Sequence, residues 1–432
     1  MQNNLAISAL RDLGLATAAQ LSQATGKSQA TISRMLREVD AQIVRIGRGR
    51  SARYAMPESI LGLPAQLPLY WGQQPWGTLT FMAGNRLHVS AGKVDIVCQG
   101  ELPWFLDHLR LQGFIGRAWA ERLGFDANTE RWSLAQMLFA NGQHAIDVPG
   151  AISAGSMAAD LVKTVSTGIH AKRAAYDGFA TDINLTLPAG SSAGGEQPKF
   201  FVLEGDGRSL PAKRLIVKFS PPRGTPFGER WHDLLCAEAI ALNTLRNHQL
   251  PAAESRLVHT GRRTFLESTR FDRLDAHQKI HAVPLSAIHR GFVHGPQRNW
   301  ADTCAALVTQ RRLSPEDAHQ VRVLLEYGRL IGNTDMHFGN LSLFAPDVSS
   351  AARFTLAPAY DMLPMCYRPA MHRDELGYTP VAPTLAMPGF ESAWRTARTM
   401  ALEFWRAVAD AELISATLRD AATNTANNIG RA

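Results

Sequence analysis

The fold of this chain is decided by IGNTDMHFGNLSL, residues 331–343, together with LAPAYDML, residues 356–363. In these stretches Asp335 precedes Asn340 by five residues, and a second acid, Asp361, follows about one hairpin later. Apolar runs border the polar segment on both sides, which indicates a loop between a helix and a strand. Loops in such positions commonly carry catalytic groups.

These side chains suit phosphoryl transfer. A carboxylate such as Asp335 can orient a hydroxyl nucleophile, and we predict that it is the catalytic residue. Asn340 and Asp361 offer the hard oxygen ligands that Mg²⁺ prefers, so we predict a magnesium site there. The catalytic loop of protein kinases has the same intervals. His337 is counted among the nucleotide-binding candidates, although a structural role in organising the loop is the simpler interpretation.

Length and composition limit the class of protein. A chain of 432 residues exceeds one ordinary core, so two or three domains are expected. A hydrophobic content of 45% with 19% charged residues is typical of a globular protein. The sequence contains neither a transmembrane-length apolar run nor the pattern of a signal peptide, and its four cysteines are widely spaced. We therefore expect a cytoplasmic protein without a membrane partner.

Positive charge is concentrated at the N-terminus. Residues 1–55 hold eight Lys and Arg against three Asp and Glu, although the whole chain carries a net charge of only +7. Such a concentration favours a phosphate-backbone partner. Two short helical patterns, the second running from Thr17 to Gly26, precede the polar helix SQATISRMLREV and a basic stretch around Gly47 and Gly49 that alternates as a hairpin would.

This order predicts a winged helix-turn-helix DNA-binding domain over residues 1–55. The candidate DNA-binding residues are Gln29, Thr31, Ser33, Arg34, Arg37, Arg48 and Arg50. The alternatives are a small helical cap with a basic surface and a winged helix used for protein contacts. Three prolines and the segment WGQQPWG predict a linker over residues 56–76, followed by a hairpin over 77–92 that opens a new domain.

A glycine-bearing turn and a buried lysine follow in the middle of the chain. The turn SSAGGEQPK, residues 191–199, lets backbone N–H groups approach a phosphate, although Gly-Gly hairpins are common without any such role. Lys218 lies in the strand pattern RLIVKFSPP, where it is costly to bury unless it meets an anion. We predict that it meets triphosphate oxygens and pairs with Glu238 of the next helix. The alternative is an exposed lysine and an exposed glutamate.

The segment 267–271 is the predicted crossing between two lobes, where backbone groups hold an adenine edge. The candidate ATP-binding residues are therefore Ser192, Ala193, Gly194, Gly195, Glu196, Gln197, Lys199, Lys218, Glu238, Glu267, Ser268, Thr269, Arg270, Phe271 and His337. Asp272 and Arg273, just beyond the crossing, are expected to form a structural ion pair.

The order of SSAGGEQPK, LIVKF, AEAIALNTL, TRFDR, IGNTDMHFGN and PAYDML resembles the HipA-type bacterial serine/threonine kinases over about residues 77–425. These kinases are the toxins of persistence-linked toxin–antitoxin pairs, and the fused N-terminal segment resembles the YjjJ-type branch. The resemblance implies the same roles for Asp335, Asn340, Asp361 and Lys218, and it implies autophosphorylation at Ser192. A phosphate at that serine would add negative charge near the nucleotide and eject the loop.

Two residues depart from the family pattern. Met336 stands where the family has glycine after the catalytic aspartate, and Thr269 stands where glutamate often precedes RFDR. Both departures concern the choice of substrate more than catalysis.

We therefore expect an α+β protein in which a winged helix-turn-helix precedes a two-lobed, protein-kinase-like (HipA-like) domain. Its N-terminal lobe would span residues 77–270, and a mostly helical C-terminal lobe would span 271–432. The expected activity is that of an ATP- and Mg²⁺-dependent serine/threonine protein kinase that inhibits growth. Its expected partners are a protein substrate and DNA, with an antitoxin protein as a further candidate. The alternatives are an aminoglycoside-like small-molecule phosphotransferase and a nucleotide-sensing transcription regulator.

Overall fold

The computed structural model describes residues 3–143, 148–155, 163–165, 169–186, 197–205, 213–274, 278–369 and 377–431. Contacts between residues divide the chain into two compact units. The first comprises residues 1–111 and 122–161, and the second comprises residues 112–121 and 162–432. Among the described residues, no helix has the length and apolar character needed to cross a bilayer.

The first unit begins with three helices and a small antiparallel sheet. The elements are α1 (Asn3–Leu13), β1 (Leu15–Thr17), α2 (Ala18–Thr25), α3 (Gln29–Glu38), β2 (Val44–Ile46) and β3 (Arg53–Ala55). The sheet has the order β1-β3-β2, and both pairs are antiparallel. The β2–β3 pair is the basic hairpin that the sequence predicts.

Local sequence signals determine where these helices begin and end. Thr17 and Gln20 form a capping box at the start of α2, and Gly26 ends the helix with a positive φ of 67°. Ser28 caps α3, whose buried stripe is the predicted one. That stripe consists of Ile32, Met35, Leu36 and Val39. Because the same stripe turns the polar face outward, the candidate DNA-binding residues of α3 remain accessible, with Thr31 only half-exposed.

A larger antiparallel sheet completes the first unit. Its strands are β4 (Gln66–Trp71), β5 (Gln74–Met82), β6 (Arg86–Ala91), β7 (Val94–Gln99) and β8 (Ile152–Ala154), in the order β7-β6-β5-β4-β8. The helix α5 (Leu134–Gln143) precedes β8 in this unit, whereas most of the helix α4 (Gly113–Leu123) belongs to the second unit. Met82 of β5 packs with Val44, Ile46 and Ala55 of the N-terminal hairpin in one core cluster.

The predicted linker over residues 56–76 is wrong from residue 66 onward. Gln66–Trp71 is a strand paired on both sides, with β5 and with β8. Pro68 is tolerated there because its carbonyl group accepts a hydrogen bond from Gly155 N, whereas the N–H that proline lacks is not needed. The predicted domain boundary at residue 77 therefore falls inside β5, although the hairpin predicted over 77–92 is confirmed as β5–β6.

The second unit contains a five-stranded sheet covered on one face by a long helix. The elements are β9 (Lys163–Val165), α6 (Ile169–Thr186), β10 (Lys199–Glu204), β11 (Lys213–Phe219), α7 (Pro226–Asn247), β12 (Ser255–His259) and β13 (Thr264–Thr269). The order of the strands is β12-β13-β11-β10-β9. Tyr176 of α6 packs against Phe200, Val217, Phe219 and Phe265, so this apolar face is the core of the sheet.

The rest of the second unit is mostly helical. It consists of β14 (Ala282–Pro284), α8 (Leu285–Ile288), α9 (Trp300–Thr309), α10 (Pro315–Leu330), β15 (Ser342–Phe344), β16 (Thr355–Leu356), α11 (Glu391–Asp410) and α12 (Ala416–Arg431). The segment that decided the fold is confirmed as a loop between a helix and a strand, because α10 ends at Leu330 and β15 begins at Ser342.

Candidate active site

The alternation of β11 decides where Lys218 points. Val217 and Phe219 belong to the core cluster beneath α6, so Lys218 between them faces the opposite side of the sheet. In register, Lys218 lies between Lys199 of β10 and Leu266 of β13. Its side chain is 8% exposed, which is unfavourable for an ammonium group without partners.

Two carboxylates meet this ammonium group. Lys218 Nζ donates to Glu238 Oε1 at 2.5 Å and also to Asp361 Oδ1. Glu238 is supplied by α7, which starts with Thr225 as its N-cap and Pro226 in its first turn. The pairing of Lys218 with Glu238 confirms the prediction, and the alternative of two exposed residues is wrong. The second oxygen of Glu238, Oε2, is buried and has no hydrogen-bond partner among the described residues.

The charges of Lys218 and Asp361 stabilise each other, whereas burial raises the pKa of Glu238. Burial by itself would raise the pKa of Asp361, but Lys218 and Lys199 outweigh it and hold that pKa at about 2. Burial would lower the pKa of Lys218, whereas Asp361 and Glu238 raise it above its ordinary value. Asp361 is therefore an ionised acceptor at neutral pH and Lys218 is a fixed cation.

An asparagine that the sequence analysis did not single out joins the two aspartates. Asn333 Oδ1 accepts a hydrogen bond from Asp335 N at 3.0 Å, and Asn333 Nδ2 donates to Asp361 O at 3.3 Å. Asn340 Nδ2 donates to the carbonyl oxygen of Asp335 at 2.7 Å. The N–H and the carbonyl group of Asp335 are thus both hydrogen-bonded by asparagine side chains, and neither of these bonds uses the Asp335 carboxylate. The one available signal was an asparagine two residues before an aspartate, which is typical of an Asx turn.

The loop is further organised by His337 and Tyr360. His337 Nδ1 accepts from Gly339 N at 3.0 Å, and its carbonyl oxygen accepts from Trp300 Nε1 at 3.1 Å. Tyr360 OH donates to Gly339 O at 2.8 Å. The simpler interpretation of His337, as an organiser of the loop, agrees with these contacts. Asp361 itself has a φ of 54°, an uncommon conformation for a residue other than glycine and one that occurs at functional sites.

The Glu267 side chain lies on the face of the sheet opposite Lys218, whereas the predicted contact of residues 267–271 with adenine concerns their backbone groups and stays a prediction. Glu267 is opposite Val217 in register, so its carboxylate lies on the α6 face, away from Lys218. There it accepts hydrogen bonds from Lys172, Tyr176 and Arg256 at 2.6–3.0 Å. The helix α6 covers this face of the sheet and brings Lys172 to the carboxylate of Glu267. The sequence of β13 alone does not show which helix covers that face.

The other residues of the predicted crossing, 268–271, make hydrogen bonds or ring contacts with other parts of the protein. Ser268 lies within β13, which is paired on both edges, and the backbone N–H groups of Thr269 and Arg270 donate to Glu254 O and Arg214 O. Phe271 stacks on Tyr360 with ring centroids 5.9 Å apart, next to Asp361. The structural ion pair predicted just beyond is confirmed, since Arg273 Nη1 lies 2.8 Å from Asp272 Oδ2.

The structure describes only the end of the predicted glycine loop, from Gln197 onward. Ser192, Ala193, Gly194, Gly195 and Glu196 lie outside the described residues, and their role in ATP binding, with autophosphorylation of Ser192, stays a prediction. Lys199 follows directly and stands beside Lys218 in the sheet. Gln197 Nε2 is buried and finds no hydrogen-bond partner in the described part of the chain.

The N-terminal candidates form an exposed polar surface. Gln29, Ser33, Arg34 and Arg37 are exposed along α3. Arg48 and Arg50 are exposed in the connection between β2 and β3.

A strand lysine paired with a helix glutamate, beside a loop that carries an aspartate and an asparagine, is the arrangement of protein-kinase-like folds. This is the class that the fold and the site define. Residues 191–429 match the HipA-like C-terminal domain, and residues 72–162 match the middle domain of YjjJ-like toxins. The chain belongs to the HipA-like family, in the branch of the YjjJ-like toxins, as its sequence motifs predicted.

Individual proteins agree with this assignment. The chain is 33% identical to Toxin YjjJ of Escherichia coli (strain K12), in an alignment that covers 96% of this chain and 95% of that protein. The Shewanella oneidensis MR-1 HipA structure, solved with HipB and its operator DNA, superimposes with a TM-score of 0.53 and 16% identity. The superposition covers 84% of this chain and 95% of that one, and it supports the fold.

Proposed function

We propose that this protein is an ATP- and Mg²⁺-dependent kinase that phosphorylates serine or threonine in proteins and thereby restricts growth. The observation that carries the proposal is the buried cluster in which Lys218 bridges Glu238 and Asp361. Asn333 joins this cluster to Asp335, so the catalytic candidate and the metal-ligand candidate belong to one site. A site of this kind needs no covalent chemistry from the protein, only positioning and charge.

The donor set fits a magnesium ion. Asp361 is ionised, and Asn340 uses its Nδ2 within the loop, so that its Oδ1 is available to a cation. When bound, Mg²⁺ would neutralise charge on the phosphates of ATP. Among the described residues, no group of three or more His, Cys, Asp or Glu side chains is placed to hold a metal, and the proposed ligands are one aspartate and one asparagine.

Each residue of the proposed active site would have a separate role in phosphate transfer. Lys218 and the neighbouring Lys199 place positive charge where phosphate oxygens would lie. Glu238 holds Lys218 in position through their ion pair. The carboxylate of Asp335, whose backbone is fixed at both ends, would accept or orient the hydroxyl proton of the acceptor.

The acceptor can be tested directly. Full-length protein is incubated with γ-labelled ATP and Mg²⁺, either with heat-treated lysate proteins or with a panel of aminoglycosides and other small alcohols. We expect label in protein, and phosphoserine or phosphothreonine after acid hydrolysis. Label confined to small molecules would contradict the proposal and favour the aminoglycoside-like alternative.

We also propose that the N-terminal segment binds DNA. Three helices with the small sheet β1-β3-β2 support this proposal, because a winged helix-turn-helix combines such helices with a hairpin. Its third helix and its hairpin present exposed polar and basic side chains. The Shewanella HipA was solved with HipB and operator DNA, and we propose DNA and an antitoxin protein as partners of this chain as well.

Removal of the hairpin arginines should weaken DNA binding in a salt-dependent manner. Arg48 and Arg50 are exposed between β2 and β3, where each can neutralise one backbone phosphate. For the double variant Arg48→Ala/Arg50→Ala, the slope of log K against log salt should fall by roughly 2. Fluorescence anisotropy with a 30-base-pair duplex, from about 50 to 200 mM salt, measures this slope.

The matched control is Arg131→Ala, because the Arg131 side chain is 73% exposed in the same unit but lies outside the basic hairpin. Its slope should equal that of the wild type. An unchanged slope in the double variant would exclude the hairpin as a phosphate contact.

A further inference from the structure

The helix α7 carries a second buried acid besides Glu238. Asp233 lies five residues before Glu238 in α7. Because a helix turns about 100° per residue, the two carboxylates lie on different faces. Glu238 meets Lys218, whereas Asp233 meets residues from the C-terminal part of the chain.

Asp233 is 1% exposed and accepts three hydrogen bonds. Tyr378 OH donates to its Oδ2 at 2.6 Å, Ser415 N donates to its Oδ1 at 2.9 Å, and Ser415 Oγ donates to its Oδ2 at 2.5 Å. None of these donors carries a charge, so the carboxylate is stabilised by geometry and not by an opposing ion. A buried acid of this kind is costly unless all its partners stay in place.

Tyr378 is also fixed through its ring and its neighbours. The guanidinium carbon of Arg230, in α7, lies 3.8 Å from the centre of the Tyr378 ring, and Arg230 Nη2 donates to Gly377 O at 3.1 Å. On another side, Tyr367 packs edge-on with ring centroids 4.9 Å apart, and its hydroxyl donates to Thr379 O. The segment 377–379 is thus attached to α7 by an ion–π contact, a backbone contact and a carboxylate.

These contacts form a closed circuit through the site. Tyr378 belongs to the segment between Asp361 and α11, and Asp361 meets Lys218, which meets Glu238 of α7. Asp233, five residues before Glu238 in the same helix, closes the circuit through Tyr378. Displacement of the 377–379 segment would therefore remove contacts that hold the helix that supplies Glu238.

We propose that Asp233 and Tyr378 form a clamp that positions α7, and with it Glu238, against Lys218 for nucleotide binding. Both are positioning residues, since neither touches Lys218. The assignment of the clamp to nucleotide binding rests on the proposed kinase function, whereas the effect of the clamp on α7 does not.

The clamp is tested with Tyr378→Phe, which keeps the ring and removes only the hydroxyl group, and with Asp233→Asn. The control is Glu229→Gln, because Glu229 lies in the first turn of the same helix and pairs with Arg223 and Gly224 instead. Hydrogen exchange of the full-length chain is followed for peptides that span residues 234–242. Binding of the non-hydrolysable analogue AMP-PNP with Mg²⁺ is measured by calorimetry, and thermal unfolding monitors the global fold.

We expect exchange over residues 234–242 to become about 10-fold faster in both clamp variants, the effect of one lost hydrogen bond to a buried charged group. AMP-PNP binding should weaken by roughly 3- to 10-fold. Glu229→Gln should change neither quantity. Exchange that is unchanged over residues 234–242, or that is accelerated equally over the whole chain, would overturn the clamp.

The two proposals fail in different ways. If the wild type binds AMP-PNP and the clamp variants bind it equally well, the clamp does not position the nucleotide site. If the wild type does not bind AMP-PNP at all, the proposed kinase function fails, while the exchange measurement still decides whether the clamp holds α7.

Discussion

Replacement of Asp335 by alanine is expected to lower phosphate transfer by about 10³-fold or more, since a positioned general base contributes roughly 10²- to 10⁴-fold. The fold should survive, because Asn333 and Asn340 bind backbone atoms of residue 335 that alanine retains. The side chain is also only half-buried. Intact mass after incubation with ATP and Mg²⁺ measures transfer, and thermal unfolding measures stability.

Asp347→Ala is the matched control, since Asp347 is an exposed loop aspartate in the same unit that caps Ser349. It should transfer phosphate at the rate of the wild type. Retention of the wild-type rate by Asp335→Ala would exclude Asp335 as the base and, with it, the proposed mechanism. If only the wild type gains a phosphate, the site of the modification should then be mapped, with Ser192 as the predicted position.

Replacement of Lys218 by methionine is expected to have the largest effect on stability. Removal of the ammonium group leaves Glu238, which is 1% exposed, without its ion-pair partner and beside a second carboxylate, Asp361. Removing one member of a buried ion pair costs roughly 3–5 kcal/mol in free energy of unfolding. Transfer should be lost as well, because the charge that would meet the phosphates is gone. Chemical denaturation at neutral pH measures the first effect and labelled ATP the second.

A second variant separates the two effects. In Lys218→Met/Glu238→Leu the buried carboxylate is also replaced, so most of the lost stability should return, since apolar replacement of a buried pair is often neutral. Activity should stay absent. The control Lys213→Met lies on the same strand but removes an exposed pair with Glu254, worth no more than about 1 kcal/mol. If Lys218→Met unfolds at the same denaturant concentration as the wild type, Lys218 is not the buried partner of Glu238 in solution.

Local patterns were sufficient for the elements that depend on neighbours in the chain. The cap at Thr17, the stop at Gly26 and the buried stripe of α3 follow from side chains within a few residues of one another. The loop around Asp335 was predictable for the same reason, because the apolar runs on either side set the end of α10 and the start of β15. The pairing of Lys218 with Glu238 required more, namely the cost of burying an ammonium group, which demands an anion.

A prediction fails where partners come from distant parts of the chain. Pro57, Pro64 and Pro68 predict a linker that includes residues 66–71, yet β8, some 80 residues later, pairs with β4 and makes it an interior strand. The side chain of Glu267 likewise has partners that its local sequence does not show, because α6 brings Lys172 and Tyr176 to its carboxylate. The local sequence of β4 does not indicate that β8 will pair with it, and the local sequence of β13 does not indicate that α6 will cover it.

The sequence by itself determined the chemistry available to this protein: which residues are acids, amides and lysines, and on which helix, strand or loop each one lies. Only the tertiary structure decided which of them meet. Asn333 joins Asp335 to Asp361, and Asp233 fastens α7 to Tyr378, through contacts that span up to 145 residues of chain. Local structure is set by backbone sterics and nearby side chains, whereas an active site is set by which surfaces bury one another, and this depends on the whole chain at once.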